Sequence, residues 1–328
     1  MPSDRIRLSI AEAREHAERA MRGIGYDAEE ARIVADHAID AALCGYEYSG
    51  LAKLLNIPEH RRFKKPRQAI RVLRETDVST LYDGGNNVGM LAMYHAARAA
   101  IEKASTRGFA IVGVTNSWMS GRSAYYVEMI ANANLVGIHT ASSTRSVAPP
   151  GGTRPALGTN PIAFGMPSSC GPVVFDIGTS AFMGTELAYR ERLGQLLPEG
   201  VAIDAEGQPT RDPALARLGA LLPFGGYKGF GLALVVHAFG LLGGSALDPE
   251  KDDGYLFIAF KPDLLIDLDD FKQQVGGLIE RIKATPRQPE VSEIRIPGER
   301  AFRSRERAWR DGIEVDRLVY EALATLRA

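Results

Sequence analysis

The stretch Pro223-Phe-Gly-Gly-Tyr-Lys-Gly-Phe-Gly-Leu-Ala-Leu-Val-Val-His-Ala-Phe-Gly-Leu-Leu-Gly-Gly244 restricts the fold of this chain more than any other. Glycines at 225, 226, 229 and 231 open it, and an apolar run closes it. Such a run reads as a buried helix or a core strand. Glycine has no Cβ, so its backbone can approach a ligand closely or take up positive φ. A glycine loop feeding a helix start offers free N–H groups and a positive dipole end to an anion. Lys228 adds a point charge inside that loop. The pattern is not a P-loop, because Gly229 rather than Ser or Thr follows the lysine. Nor does it have the G-x-G-x-x-G spacing of a dinucleotide fingerprint. Two readings stand at this point: a contact to a cofactor's phosphate or nicotinamide, or a tight loop before a close-packed helix.

The apolar run is too short to span a bilayer and is interrupted by His237. With 328 residues, 45% of them hydrophobic and 24% charged, the chain can build a large core in one or two domains. A net charge of −1 gives no general reason to bind nucleic acid or an anionic membrane. Two cysteines, Cys44 and Cys170, exclude a disulfide scaffold and a multi-cysteine metal site. They read as buried thiols in a reducing compartment. The charged start Met1-Pro-Ser-Asp-Arg-Ile-Arg-Leu-Ser9 has no apolar signal core. The expectation is a cytoplasmic protein.

Two capping boxes, Ser9-Ile-Ala-Glu12 and Asp27-Ala-Glu-Glu30, each precede an apolar periodicity of helical spacing. Gly25 separates them, so the chain starts with an antiparallel helix pair. His60-Arg-Arg-Phe-Lys-Lys-Pro-Arg67 is a basic run that reads as a solvated or subunit-edge loop. Residues 80–85, 108–115, 136–140, 161–164, 173–176 and 255–260 read as strands. Residues 89–104, 124–133, 270–282 and 313–326 read as helices. Strands and helices interleave, so the class is α/β with a helical N-terminal part.

None of the six histidines pairs at metalloprotease spacing, and no cysteine stands near one in a zinc pattern, so no metal is expected. There is no G-x-S-x-G nucleophile elbow. Turn-forming segments recur instead at strand ends, where α/β proteins bind ligands. They are Thr115-Asn-Ser-Trp-Met-Ser-Gly121, Pro149-Pro-Gly-Gly-Thr153, Leu157-Gly-Thr-Asn-Pro161, Asp176-Ile-Gly-Thr-Ser180 and the lysine loop.

In order and spacing, these segments, together with Arg295-Ile-Pro-Gly-Glu299, resemble the malate/L-lactate dehydrogenase family of the non-Rossmann type. Its relatives include ureidoglycolate and sulfolactate dehydrogenases, diketogulonate reductases and piperideine- or pyrroline-2-carboxylate reductases. The resemblance covers nearly the whole chain. It implies an α/β fold with a mixed sheet, and a homodimer with its own NAD(P) site and a small-molecule substrate, without nucleic acid or membrane. It implies a helical part at 1–75, a substrate and dimer domain at 76–122 plus 300–328, and a cofactor domain at 123–299. It also implies cofactor contacts at Met119, Ser120, Gly121, Asp176, Ile177, Gly178, Lys228, Arg295, Pro297, Gly298, Glu299 and Arg300. Thr159 would face the substrate. NADPH is favoured over NADH, because Arg295, Arg300, Arg303, Arg305, Arg307 and Arg310 crowd one segment and guanidinium suits a 2′-phosphate.

The departures from the family pattern lie in the proton-handling half. Met119 stands where the family carries a histidine near the reacting carbon. Tyr48-Ser49-Gly-Leu-Ala-Lys53 replaces Ser-His-Gly-x-x-Arg. Gly184 falls near the place of a frequent basic residue. Lys53 still attracts a carboxylate, without arginine's bidentate fork. Methionine cannot move a proton, whereas a positioned acid or base contributes roughly 10²–10⁴-fold. Three readings follow. The first is an imine reductase, whose substrate arrives protonated. Lys53, Thr159 and Gly184 then bind it, and Trp118 with Met119 forms an apolar wall. The second is a 2-oxo-acid reductase or 2-hydroxy-acid dehydrogenase with a replaced acid, Tyr48 beside Lys53 or else His139. The third is a cofactor-binding relative without turnover. The first is the expectation adopted, with Ser49, Tyr48, Lys53 and Met119 as the catalytic set.

Overall fold

The protein, a computed structural model, is described over residues 4–248, 251 and 253–326. Residues 1–3 and 327–328, the ends of the first and last expected stretches, lie outside that description. The first elements are β1 (Arg5–Leu8), α1 (Ile10–Gly23), α2 (Ala28–Leu43), α3 (Leu51–Glu59), β2 (Arg71–Glu75) and β3 (Ser79–Val88). Next come α4 (Gly89–Arg107), β4 (Phe109–Trp118), α5 (Ser123–Asn132), β5 (Val136–Ser142), β6 (Ile162–Met166) and β7 (Val173–Ile177). Then follow α6 (Gly184–Arg192), β8 (Ala202–Ile203), α7 (Pro213–Leu218), β9 (Ala220–Leu221), α8 (Tyr227–Leu242) and β10 (Gly254–Phe260). The chain closes with α9 (Leu268–Lys283), α10 (Glu299–Asp311), β11 (Ile313–Asp316) and α11 (Arg317–Ala324).

Both expected capping boxes form. The Ser9 hydroxyl accepts the Glu12 N–H at 3.2 Å, and Glu12 accepts the Ser9 N–H at 2.8 Å. Asp27 and Glu30 repeat the exchange. Each box satisfies orphan donors of the first helical turn. The 313–326 segment is not one helix. Ile313 and Val315 are buried while Glu314 is exposed, the period-two signature of a strand. That strand, β11, pairs antiparallel with β1, from Arg5↔Asp316 to Leu8↔Ile313. Asp316 then caps α11 by accepting the Leu318 N–H at 3.0 Å.

The large sheet runs β2-β3-β4-β10-β5-β6-β7. The β3/β4 pair, joined through α4, is parallel and the others are antiparallel. The sheet takes strands from all three expected stretches. The helix pair shares a core with α3, β11 and α11, built on residues such as Met21, Ile39, Leu54, Ile57 and Ile313. Its apolar faces are therefore used within the chain.

Helix α8 forms where expected, yet it is not buried all round. Gly229, Ala233, Val236, His237 and Gly240 face inward, while Leu234, Val235, Leu241 and Leu242 are exposed. The helix packs on β5 and β10 with one side, and among the described residues the other side is left largely exposed. Cys170 likewise sits exposed in a turn, and only Cys44 is buried. Among the described residues, no helix is long and apolar enough to cross a membrane.

Candidate active site

A cavity of about 310 Å³ opens between α3, the 119–121 loop, the strand end at Thr159 and the start of α6. A smaller crevice of about 110 Å³ adjoins it. Lys53, Gly121, Pro161, Met183 and Thr185 line both. Lys53 therefore stands at their junction. It is 7% exposed, and its Nζ donates to Thr185 Oγ1 at 2.8 Å. Burial lowers its pKa from 10.5 to about 8, because a low-dielectric wall disfavours the ammonium.

Met119, Ser120, Thr159 and Gly184 line the larger cavity, and Tyr48 and Ser49 the crevice. The structure thus assembles most of the expected site from separate segments. Met119 sits at φ +58°, a left-handed conformation seldom taken by such a side chain. A side chain on Gly184 would meet nothing within 4 Å, so the space of the absent basic residue is open.

Three expected roles are not met. Trp118 is fully buried and does not line the cavity. Its Nε1 donates to the Asn86 carbonyl at 3.1 Å, and its ring stacks on His60 with centroids 4.4 Å apart. Lys53 does not acidify Tyr48. Burial first, then Glu186, Tyr46 and Asp176, push its phenol up to about 12. His139 does not line the cavity either; it stacks on Phe257 inside the sheet core.

His60 and Asp253 line the cavity although the sequence singled out neither for this site. The run containing His60 is solvated only in part: Arg61, Lys64, Lys65 and Pro66 are exposed, but His60 is half-buried and Arg62 buried. Arg62 is 7% exposed and donates to Asn86 Oδ1, the Ser117 carbonyl and Asn116 Oδ1. His60 Nδ1 accepts the Arg62 N–H at 3.3 Å, which leaves the proton of the neutral ring on Nε2. Burial, then Arg61, Arg62 and Lys53, hold the ring near a pKa of about 4, so it is neutral at physiological pH.

The crevice leads to the segments expected to hold a cofactor. Asp176 is the last residue but one of β7, and its Oδ2 accepts the Ala124 N–H at 2.8 Å. The residue is exposed overall and lines the crevice. There burial raises its pKa, with the Ala124 N–H and Arg122 opposing. Thr179 N–H and Oγ1 both donate to the Thr159 carbonyl, which ties the substrate-facing and cofactor-facing loops together. Phe224 N–H donates to the Thr179 carbonyl, bringing the lysine loop alongside. A Cβ on Gly229 would meet that same carbonyl at 2.6 Å and the Phe224 carbonyl closer still. Gly225 and Gly226 take φ of +53° and +62°, and α8 starts without a side-chain cap. Lys228, in its first turn, is exposed. An uncapped helix start with a lysine and bare glycines suits phosphate oxygens. Gly298, at φ +89°, starts α10 against β7, where a Cβ would come within 2.9 Å of the Val174 carbonyl. Arg300 lies over the Tyr46 ring of the crevice at 5.0 Å. Arg295 is exposed and stands 3.8 Å from Glu293. Glu299 accepts the Ile296 N–H at 3.2 Å. These residues fit a dinucleotide.

The sequence model of the malate/L-lactate dehydrogenase family matches residues 8–324. The chain belongs to that family. It is 34% identical to the L-sulfolactate dehydrogenase of Methanothermobacter thermautotrophicus, over 97% of this chain and 95% of the relative. It is 32% identical to the Δ1-pyrroline-2-carboxylate/Δ1-piperideine-2-carboxylate reductase of Pseudomonas aeruginosa, over 98% and 99%. The crystal structure of malate dehydrogenase from Entamoeba histolytica superposes with a TM-score of 0.91 at 27% identity, over 98% of this chain and 97% of that one. The chain is therefore an oxidoreductase that works with a nicotinamide cofactor. The family also explains why the sheet is mixed rather than doubly wound, as the resemblance implied.

Proposed function

We propose that this member of the family reduces a carbon–nitrogen double bond beside a carboxylate, in a cyclic substrate. The observation that carries this reading is the lining of the cavity. Met119 and Ser49, which by the family resemblance stand in for histidines, line the two spaces, and Tyr48 and His60 are neutral and poor acids near pH 7. The bound, reduced cofactor supplies a hydride. A protonated imine already carries its proton, and its nitrogen keeps it when the double-bond electron pair settles there. Lys53 needs only to hold the carboxylate, close to the uncapped start of α6. Met119, Pro161, Met183 and Tyr255 give the cavity an apolar wall.

One observation favours the second reading. Lys53, held near a pKa of about 8, is an ammonium able to give up a proton to a developing alkoxide. The test compares one carbon skeleton as cyclic imine and as open 2-oxo acid, with both reduced cofactors. Faster reduction of the imine is expected. Faster reduction of the oxo acid would overturn the imine reading and make Lys53 the acid. Turnover of neither, with cofactor still bound, would leave a binding protein.

The cofactor preference rests on Arg300. Arg303 pairs with Glu293 at 2.7 Å, and Arg305 is fastened between Glu128 and Asp40, so neither serves a 2′-phosphate. Tighter binding of NADPH than NADH, lost in Arg300→Ala, is the expected result of a fluorescence titration. Assembly as a homodimer, through the exposed face of α8, belongs to the same reading.

A further inference from the structure

Two opposite charges face the same small cavity. Among the lining residues described, Lys53 is the one ammonium and Asp253 the one carboxylate. They are 7% and 8% exposed, so each is largely removed from water. Lys53 lies at the junction with the crevice, whereas Asp253 belongs to the larger cavity alone. Asp253 stands just before β10, which pairs with β4 and β5, so its backbone is set by the centre of the sheet. Arg62 pairs with it, Nη1 lying 4.0 Å from Oδ2, and is not itself part of the cavity lining. The remaining polar lining is uncharged, Asn56, Ser143, Thr144 and Thr159 among it, with His60 held neutral and offering a donor.

A buried carboxylate facing a substrate site opposes any purely anionic substrate, since like charges in a poorly solvated space repel strongly. The arrangement suits a ligand that brings a positive charge to one end and a carboxylate to the other. We propose that Asp253 receives the charged N–H of the substrate while Lys53 holds its carboxylate, so that the cavity selects a zwitterion over a simple anion. This deepens the reading of the site as one for a C=N bond beside a carboxylate and rests on it. A protonated imine and the amine formed from it share this charge pattern, and the matching 2-oxo acid lacks it. Asp253 is then a specificity-determining residue.

The test measures binding rather than turnover. Pyrrolidine-2-carboxylate and its oxygen analogue tetrahydrofuran-2-carboxylate share a shape and a carboxylate, but only the first is zwitterionic. With reduced cofactor present neither can react, and calorimetric titration gives both affinities. The amine should bind wild-type protein about tenfold or more tighter, the scale of a hydrogen bond between charged groups. In Asp253→Asn that advantage should vanish while the oxygen analogue binds as well as before or better, which also shows that the variant is folded. Equal affinities in wild type, or an equal loss for both compounds in the variant, overturn the proposal. If Asp253→Asn does not fold, the wild-type ratio alone decides. Should the amine be preferred while the oxo acid is reduced faster than the imine, the assignment of Asp253 stands and the imine reading falls.

Discussion

Moving an ammonium from water into a protein wall raises its free energy, and Lys53 expresses this as a depressed pKa. The sign of the pH dependence follows. The unfolded lysine, at 10.5, binds its proton more tightly than the folded one at about 8. Between those values the unfolded state carries more protons, so stability rises with pH there and is flat below about 8. Lys53→Met should remove that rise and stabilise the protein near pH 7 by up to about 3 kcal/mol, measured by denaturant unfolding. Substrate binding runs the other way. A carboxylate needs the charged form, so KM should climb as pH passes about 8, with kcat less affected. Lys53→Ala should raise KM at every lower pH and abolish that climb. No histidine limb is expected between pH 6 and 7, because His60 titrates near 4. A limb in that window would show that another group carries the chemistry.

At the scale of one helix, α8 contains glycines that look alike in the sequence and differ in the fold. Gly229 is pressed against the Phe224 and Thr179 carbonyls, while a Cβ on Gly231 would meet nothing within 4 Å. Gly229→Ala should force the lysine loop away from Thr179, destabilising by about 1–3 kcal/mol and weakening cofactor binding. Gly231→Ala should be neutral or add about 0.5–1 kcal/mol through helix propensity. Thermal unfolding of the pair checks this, and an equal loss in both would refute the close approach. The opposite face of the same helix carries Leu234 at 56% and Leu242 at 65% exposure. Apolar area of this kind, repeated along a helix, marks an association surface. Leu234→Asp combined with Leu242→Asp should yield a monomer by sedimentation. A wild-type monomer at micromolar concentration would remove the reason for the surface.

Across the whole molecule, the cofactor side of the site depends on α10 lying where Arg300 can reach Tyr46. Arg305 fastens that helix to α5 through Glu128, at 2.6 and 2.7 Å, and to α2 through Asp40 at 2.9 Å. Arg305→Ala leaves carboxylates without their partner, and being partly exposed should cost about 2 kcal/mol rather than the larger figure of a fully buried pair. Cofactor affinity should fall severalfold with it, although Arg305 touches no expected cofactor atom. Arg305→Lys should recover only part of the loss, since it lacks the planar fork. Unfolding curves and cofactor titration of the two variants decide between a fastening role and none.

Local rules were sufficient for much of this protein. The capping boxes at Ser9 and Asp27, the strand–helix–strand run from Ser79 to Trp118 and the glycine-opened start of α8 depend on neighbours a few residues apart. The candidate cofactor segments were also legible, because their glycines and polar residues follow a recurring order. What lay beyond the sequence depends on contacts between distant segments. Ile313–Asp316 is a strand only because β1 is there to pair with it. His60 and Arg62 read as solvated until Trp118, Asn86 and Asn116 close around them. Asp253 reaches the cavity because β10 inserts between β4 and β5. Burial, which sets the charge of Lys53, His60 and Tyr48, is a property of what surrounds a side chain, and only the tertiary structure supplies it.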